Sequence, residues 1–125
     1  MSEKRLVIQL GFGCDQHDHD NDCTKAAIKA IKDAISNNSL PGLFEICDFK
    51  GPKDLVRMLV HVKIGAPYPE RVDDKKILKA IPFGQKTLEV VKGGLIAHGV
   101  KIEELGDISD EIIICNAAIT VSVKY

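Results

Sequence analysis

At 125 residues the chain has room for one domain with a core of its own, without disulfide or metal staples. Its 17 basic and 18 acidic residues leave a net charge of −1, Trp is absent and aromatics are 5%, which excludes both an electrostatic grip on nucleic acid or anionic membrane and a base-stacking platform. No apolar run approaches a membrane span, and Met-Ser-Glu-Lys-Arg leads straight into a strand-like segment with no signal-peptide core, so the expected location is the cytoplasm.

Leu6, Ile8 and Leu10 alternate with Val7 and Gln9, which predicts a first strand over residues 5–10. The densest chemistry follows at 11–22, Gly-Phe-Gly-Cys-Asp-Gln-His-Asp-His-Asp-Asn-Asp, with Asp15, Asp18, Asp20, Asp22 and two of the four histidines, His17 and His19. A strand that runs into a glycine-rich turn and opens a helix sets such groups on a rigid base. The helical spacing of Ala27, Ile28, Ile31, Ala34 and Ile35, against Lys25, Lys29, Lys32, Asp33 and Ser36, predicts that helix over 22–36. Asp22 is its expected N-cap, and Asn37-Asn38-Ser39 with Pro41-Gly42 ends it.

Residues 43–49 fit an edge strand or a packed loop. Over 57–64, Met58, Val60, Val62 and Ile64 form one strand face and Arg57, Leu59, His61 and Lys63 the other. Asp73 or Asp74 then caps a short helix carrying Ile77, Leu78 and Ile81 inward, closed by Pro82-Phe83-Gly84. Two strands follow near 86–92 and 111–123, the last with Ile113, Cys115, Ala117, Ile119, Val121 and Val123 on one face. Between them Gly93-Gly94 and His98 are expected in bulges or turns, and Asn116, mid-strand among apolar neighbours, as a hydrogen-bonded amide. Cys14, Cys23, Cys47 and Cys115 contain no C-x-x-C pair and read as reduced thiols.

The fold class this predicts is α+β: one domain over residues 1–125, a single mixed β-sheet of four to five strands with two helices packed on one face. The second face, assigned Val7, Leu59, Ile112 and Ile114 beside polar residues, is either solvated or buried in an oligomer.

An extended backbone puts Asp15, His17 and His19 on one side. A carboxylate and two imidazoles form a divalent-metal set, zinc first, with an open position that activates water or polarises an oxygen. Without metal, His17 beside Asp15 is an acid–base pair; the plainer alternative is a solvated loop whose carboxylate caps the helix. Gly11 and Gly13 either turn the chain tightly or bring backbone N–H groups to a ligand anion. Gln16 where a third glycine would stand excludes a standard dinucleotide fingerprint. His61 and Lys63 either face water or line a subunit-interface pocket for an anionic group, with His61 a further candidate metal ligand.

Gly11-Phe12-Gly13-Cys14-Asp15-Gln16-His17-Asp18 resembles the G-x-G-x-D-x-H-G motif of a small family of bacterial and plant proteins without assigned function, first catalogued as hypothetical proteins in Listeria. The resemblance continues through the following helix, the strand ending near Pro67, Pro82-Phe83-Gly84, Gly93-Gly94-Leu95 and Asn116-Ala117-Ala118. Gly11, Gly13, Asp15 and His17 match the motif; Asp18 departs from its final glycine, a position that serves either a positive φ, which Asp tolerates, or close ligand approach. A shorter stretch, Gly13-x-Asp15-x-His17, is similar to the zinc-binding segment of methylerythritol cyclodiphosphate synthase, a trimer with active sites between subunits. That family takes its third ligand from a histidine on the following helix. Residues 23–36 contain none, so His19, His61 or Cys23 would substitute.

The expected function is a small metal-dependent hydrolase or lyase of a small anionic metabolite, with Asp15 and His17 catalytic or ligating and His19 the third ligand. It is expected as a homo-oligomer, a trimer favoured by the second resemblance, with no nucleic-acid or membrane partner. The competing expectation is a non-catalytic oligomeric protein that binds metal or a small ligand. Catalysis would require a neighbouring subunit, or groups from 57–63, 93–98 or Asn116, to close over His17.

Overall fold

The computed structural model describes residues 2–18 and 22–125. Five strands, β1 (Glu3–Asp15), β2 (Met58–Ala66), β3 (Gln85–Lys92), β4 (Leu95–His98) and β5 (Glu111–Lys124), accompany helices α1 (Thr24–Ser36), α2 (Gly42–Glu45) and α3 (Asp74–Lys79), the first two helices between β1 and β2 and the third between β2 and β3. The sheet order is β1-β5-β2-β3, and β4 pairs with β5. β5 is antiparallel to β1 along one side; on its other side β2 takes residues 116–123 and β4 takes 111–114. β2 and β3 are parallel, a pairing that needs a crossover, and α3 supplies it. The mixed α+β sheet expected from the pattern is therefore present. Among the described residues no helix is long and apolar enough to cross a membrane.

The core lies between the inner sheet face and α1. Val60, Val62 and Ile64 of β2 and Cys115, Ile119 and Val121 of β5 meet Ala26, Ala30, Ile31 and Ala34 of α1, with Ile77 of α3 alongside. Asp73 accepts the Lys75 and Lys76 amides and so caps α3, as the sequence suggests. Asp22 acts at α1 from one residue further out than an N-cap: Cys23 holds that position, and Asp22 Oδ1 accepts the Thr24 amide (2.7 Å) and hydroxyl (2.6 Å). Residues 42–45 form the short α2 rather than an edge strand, burying Leu43 and leaving Phe44 exposed. His98, expected in a turn, ends strand β4 and pairs with Asp110 at 3.2 Å.

β1 departs most from expectation. It does not end at residue 10; it runs straight through Gly11 and Gly13, which pair with Ala117 and Cys115 and have no positive φ. Its faces are also the reverse of those expected. Val7, Gln9, Gly11 and Gly13 pair with the inward-facing Val121, Ile119, Ala117 and Cys115, while Ile8, Leu10 and Phe12 lie on the outer face, the last two 73% and 67% exposed. The cause is the approach of α1. A Cβ on Gly11 would stand 2.5 Å from Ala30 O and Ala34 N, and one on Gly13 2.5 Å from Ala30 N and Lys29 Cβ. The glycines and the alanine row 26, 30, 34 thus let helix and strand backbones touch, and only the glycine-bearing face of β1 fits beneath α1. A register shift between Arg5 and Val7 lets Leu6 still pack against the core.

β1 is also a sheet edge, and α1 closes part of it. The Phe12 N–H donates to Asp33 Oδ2 and Lys29 Nζ donates to the Cys14 carbonyl, both at 3.0 Å. All four cysteines are free, with Cys23, Cys47 and Cys115 buried and Cys14 partly exposed. A thiol titration of the folded protein should find one fast-reacting group, absent in Cys14→Ser, and the remaining three only after denaturation.

Candidate functional site

Past Asp15 the chain bends at Gln16 and His17 and meets a second loop arriving from β4. In that loop a short 3-10 turn, Glu103–Leu105, ends at Gly106, whose left-handed φ of 88° brings Asp107 back beneath it. The Asp107 side chain is fully buried. Its Oδ2 accepts the Ile102 N–H and is joined to His17 Nδ1, both at 2.8 Å, and the His17 ring is 38% exposed. The neighbouring residue makes a second bridge between the loops. Asp18 accepts the Ile108 amide through its carbonyl and the Ser109 hydroxyl through Oδ2, both at 2.7 Å, and Ser109 Oγ in turn accepts the Glu111 N–H.

A carboxylate accepts only, so Asp107 selects the His17 tautomer protonated on Nδ1 and makes Nε2 the basic nitrogen. The buried carboxylate also fixes the plane of the ring. An imidazole held this way is suited to move a proton at Nε2, or to ligate a cation there.

Among the described residues the carboxylate hydrogen-bonded to the His17 imidazole is Asp107, not Asp15. Asp15 is buried at the end of the inner face of β1, one pleat beyond Gly13, whose α-carbon faces the Ala26 carbonyl at the start of α1. His19 lies outside the described residues, and among those described no three His, Cys, Asp or Glu side chains gather as a ligand set. Asp18 is not at positive φ; it occupies the family's glycine position as a buried link to Ser109. Gly11 and Gly13 form no turn beside Asp15 and His17, and their α-carbons lie against α1.

His61 and Lys63 lie elsewhere. His61 pairs across the sheet with Thr120, which pairs with Ile8, seven residues before Asp15 along β1 and so roughly 23 Å away. Its ring engages Thr87 Oγ1 at 2.7 Å and Glu89 at 3.3 Å, and Lys63 stands 3.8 Å from Glu89. Lys63 does meet Asn116 and Gly93, two other positions picked out in the sequence, along a cleft of about 460 Å³ on the outer sheet face.

Below the loops, Cys23 and Cys115 form a buried thiol pair, with Cys115 Sγ 3.8 Å from the Cys23 carbonyl. The Cys115 thiol hydrogen bond and the Tyr68 N–H hold the Cys23 thiol below its usual range, and the same bond pushes Cys115 up. Asp107 and Ser109 were missed in the sequence. Gly106 marks a turn there, but nothing local ties position 107 to a histidine 90 residues earlier.

A family model described as a conserved hypothetical protein family, Lin0512_fam, matches residues 5–121. The crystal structure of an FtsZ-like protein of unknown function from Nostoc punctiforme is similar along the whole molecule, at 41% identity and a TM-score of 0.85, covering 100% of this chain and 99% of that one. No curated protein matches the chain.

Proposed function

The chain belongs to the conserved hypothetical protein family Lin0512_fam, and for this member we propose a small enzyme, a hydrolase or lyase of a small anionic metabolite, that moves a proton at His17 Nε2. The observation that carries this reading is the fully buried Asp107 on Nδ1. A carboxylate withdrawn from solvent and spent on orienting a partly exposed imidazole supports acid–base work more than surface hydrogen bonding does. Asp107 is the positioning residue and His17 the group that meets substrate.

The same contact favours a second reading. A metal-bound imidazole usually donates its other N–H to a carboxylate, so Nε2 could take a divalent ion, zinc foremost, with Asp15 and His19 as the further ligands the sequence suggests. Association of copies through the exposed Ile8 and Phe12, on either side of Leu10, is the accompanying proposal for the open sheet face.

The test combines turnover and binding. Against small carboxylate and phosphate esters, His17→Ala should abolish turnover and Asp107→Asn should lower it about 100-fold or more. Titration with zinc distinguishes the readings: a stoichiometric heat that disappears in His17→Ala supports the metal site, whereas turnover unchanged by chelator supports acid–base chemistry alone. No turnover and no zinc heat would leave a non-catalytic ligand-binding protein.

A further inference from the structure

We propose that the cleft on the outer sheet face, down the sheet from His17, is a separate binding site for a small organic anion with an apolar body. It arises from the topology. β2 ends at Ala66 while β5 continues, and the chain leaving β3 crosses the end of β2 at Gly93 and Gly94 to lay β4 against β5. Glycine is required at Gly94 and fits a tight approach at Gly93. A Cβ on Gly93 would stand 3.1 Å from the Gly65 α-carbon, and Gly94, at φ 66°, would put one 2.1 Å from the Ile114 carbonyl. Gly65 completes the floor, since a Cβ there would fall 2.2 Å from Asn116 Oδ1, so the Asn116 carboxamide lies across a strand that has no side chain at that point.

The crossing explains the glycines but not what surrounds them. Lys63 and Lys92 are the charged residues lining the cleft, both exposed. Lys63 has only a 3.8 Å contact with Glu89, and Lys92 has no ion pair among the described residues. Asn116 stands on the neighbouring strand β5, opposite Gly65 and one pleat along from Lys63, exposed, with no side-chain hydrogen bond to a described residue, so its donors and acceptor face solvent within the cleft. Leu10, Val91 and Ala118 make the rest of the wall apolar. The Lys63 ammonium and the Asn116 carboxamide beside an apolar wall, with Lys92 at the rim where β3 ends, suit an anionic head joined to a hydrophobic body, and about 460 Å³ is within the range of small-ligand sites. His61 takes no part, being engaged with Thr87 and Glu89.

Titration of the full chain with phenyl phosphate, followed by amide NMR, tests the site without reference to any activity. Saturable shifts are expected at the Gly65, Gly93 and Gly94 amides and the Asn116 side-chain NH₂. A Lys63→Ala, Lys92→Ala double variant, its fold confirmed by its remaining resonances, should bind at least tenfold more weakly. His17→Ala should bind as the native chain does, which separates this site from the one proposed above. Shifts that fail to saturate, that persist unchanged in the double variant, or that inorganic phosphate reproduces at equal concentration would overturn the proposal.

Discussion

Gly13→Ala should lose about 3 kcal/mol of stability, the upper end of what overpacking a core costs. The added methyl would stand 2.5 Å from Ala30 N and 2.6 Å from the Ala26 carbonyl, and both atoms belong to the helix backbone. A flexible side chain can rotate out of the way; a helix backbone cannot. Relief therefore requires α1 to rise from β1, and that would loosen the contacts of Ala26, Ala30, Ile31 and Ala34 together. Urea denaturation of the variant should show a lower midpoint with little change in slope. Gly51→Ala is the matched control. Gly51 has extended backbone and nothing within 4 Å of an added Cβ, so it should unfold within about 0.5 kcal/mol of the native chain. Equal midpoints for the two variants would mean that α1 does not rest on the glycine face.

Asp107→Ala should cost about 2 kcal/mol and concentrate its effect in two loops. The substitution removes the acceptor for the Ile102 N–H and the anchor of the His17 ring. Leaving both groups without it is costly, although the partly exposed imidazole can turn to water, which keeps the loss below that of a fully buried ion pair. Hydrogen exchange should reveal the location: the Ile102 and Ile108 amides should exchange faster, while β2 and the centre of β5 keep their protection. Uniform acceleration throughout the sheet would instead make Asp107 a global core residue. Asp107→Asn, which keeps an acceptor oxygen, should lose less stability while still allowing the wrong tautomer of His17.

The elements that were legible in the sequence are those whose period is set by one buried face. Met58, Val60, Val62 and Ile64, and the six alternating residues from Ile113 to Val123, stand where their alternation puts them, as do the apolar positions of α1 and the Asp73 cap. β1 was misread because hydrophobicity and burial part company there. Ile8 and Leu10 carry the apolar signal yet face outward, while Gly11 and Gly13, which resemble a turn, lie against the helix. Periodicity assigns faces but not neighbours, so the insertion of β5 between β1 and β2 was not legible. The site divides in the same way. His17 is conspicuous in a run of acids and histidines, whereas its carboxylate partner arrives from a distant turn with an unremarkable local sequence.

Asp33 and Lys29 give the margin of this sheet a polarity. An uncovered strand offers its unpaired amides and carbonyls to any extended peptide, including a second copy of itself, and repetition of that event leads to fibres. Here the amide of Phe12 and the carbonyl of Cys14 are already engaged by side chains of α1. A peptide annealing along β1 from its N-terminal end would therefore find its register interrupted before reaching Asp15. The helix laid so tightly on the glycines thus also acts as a stopper, keeping added strands away from the end of the sheet where His17 sits.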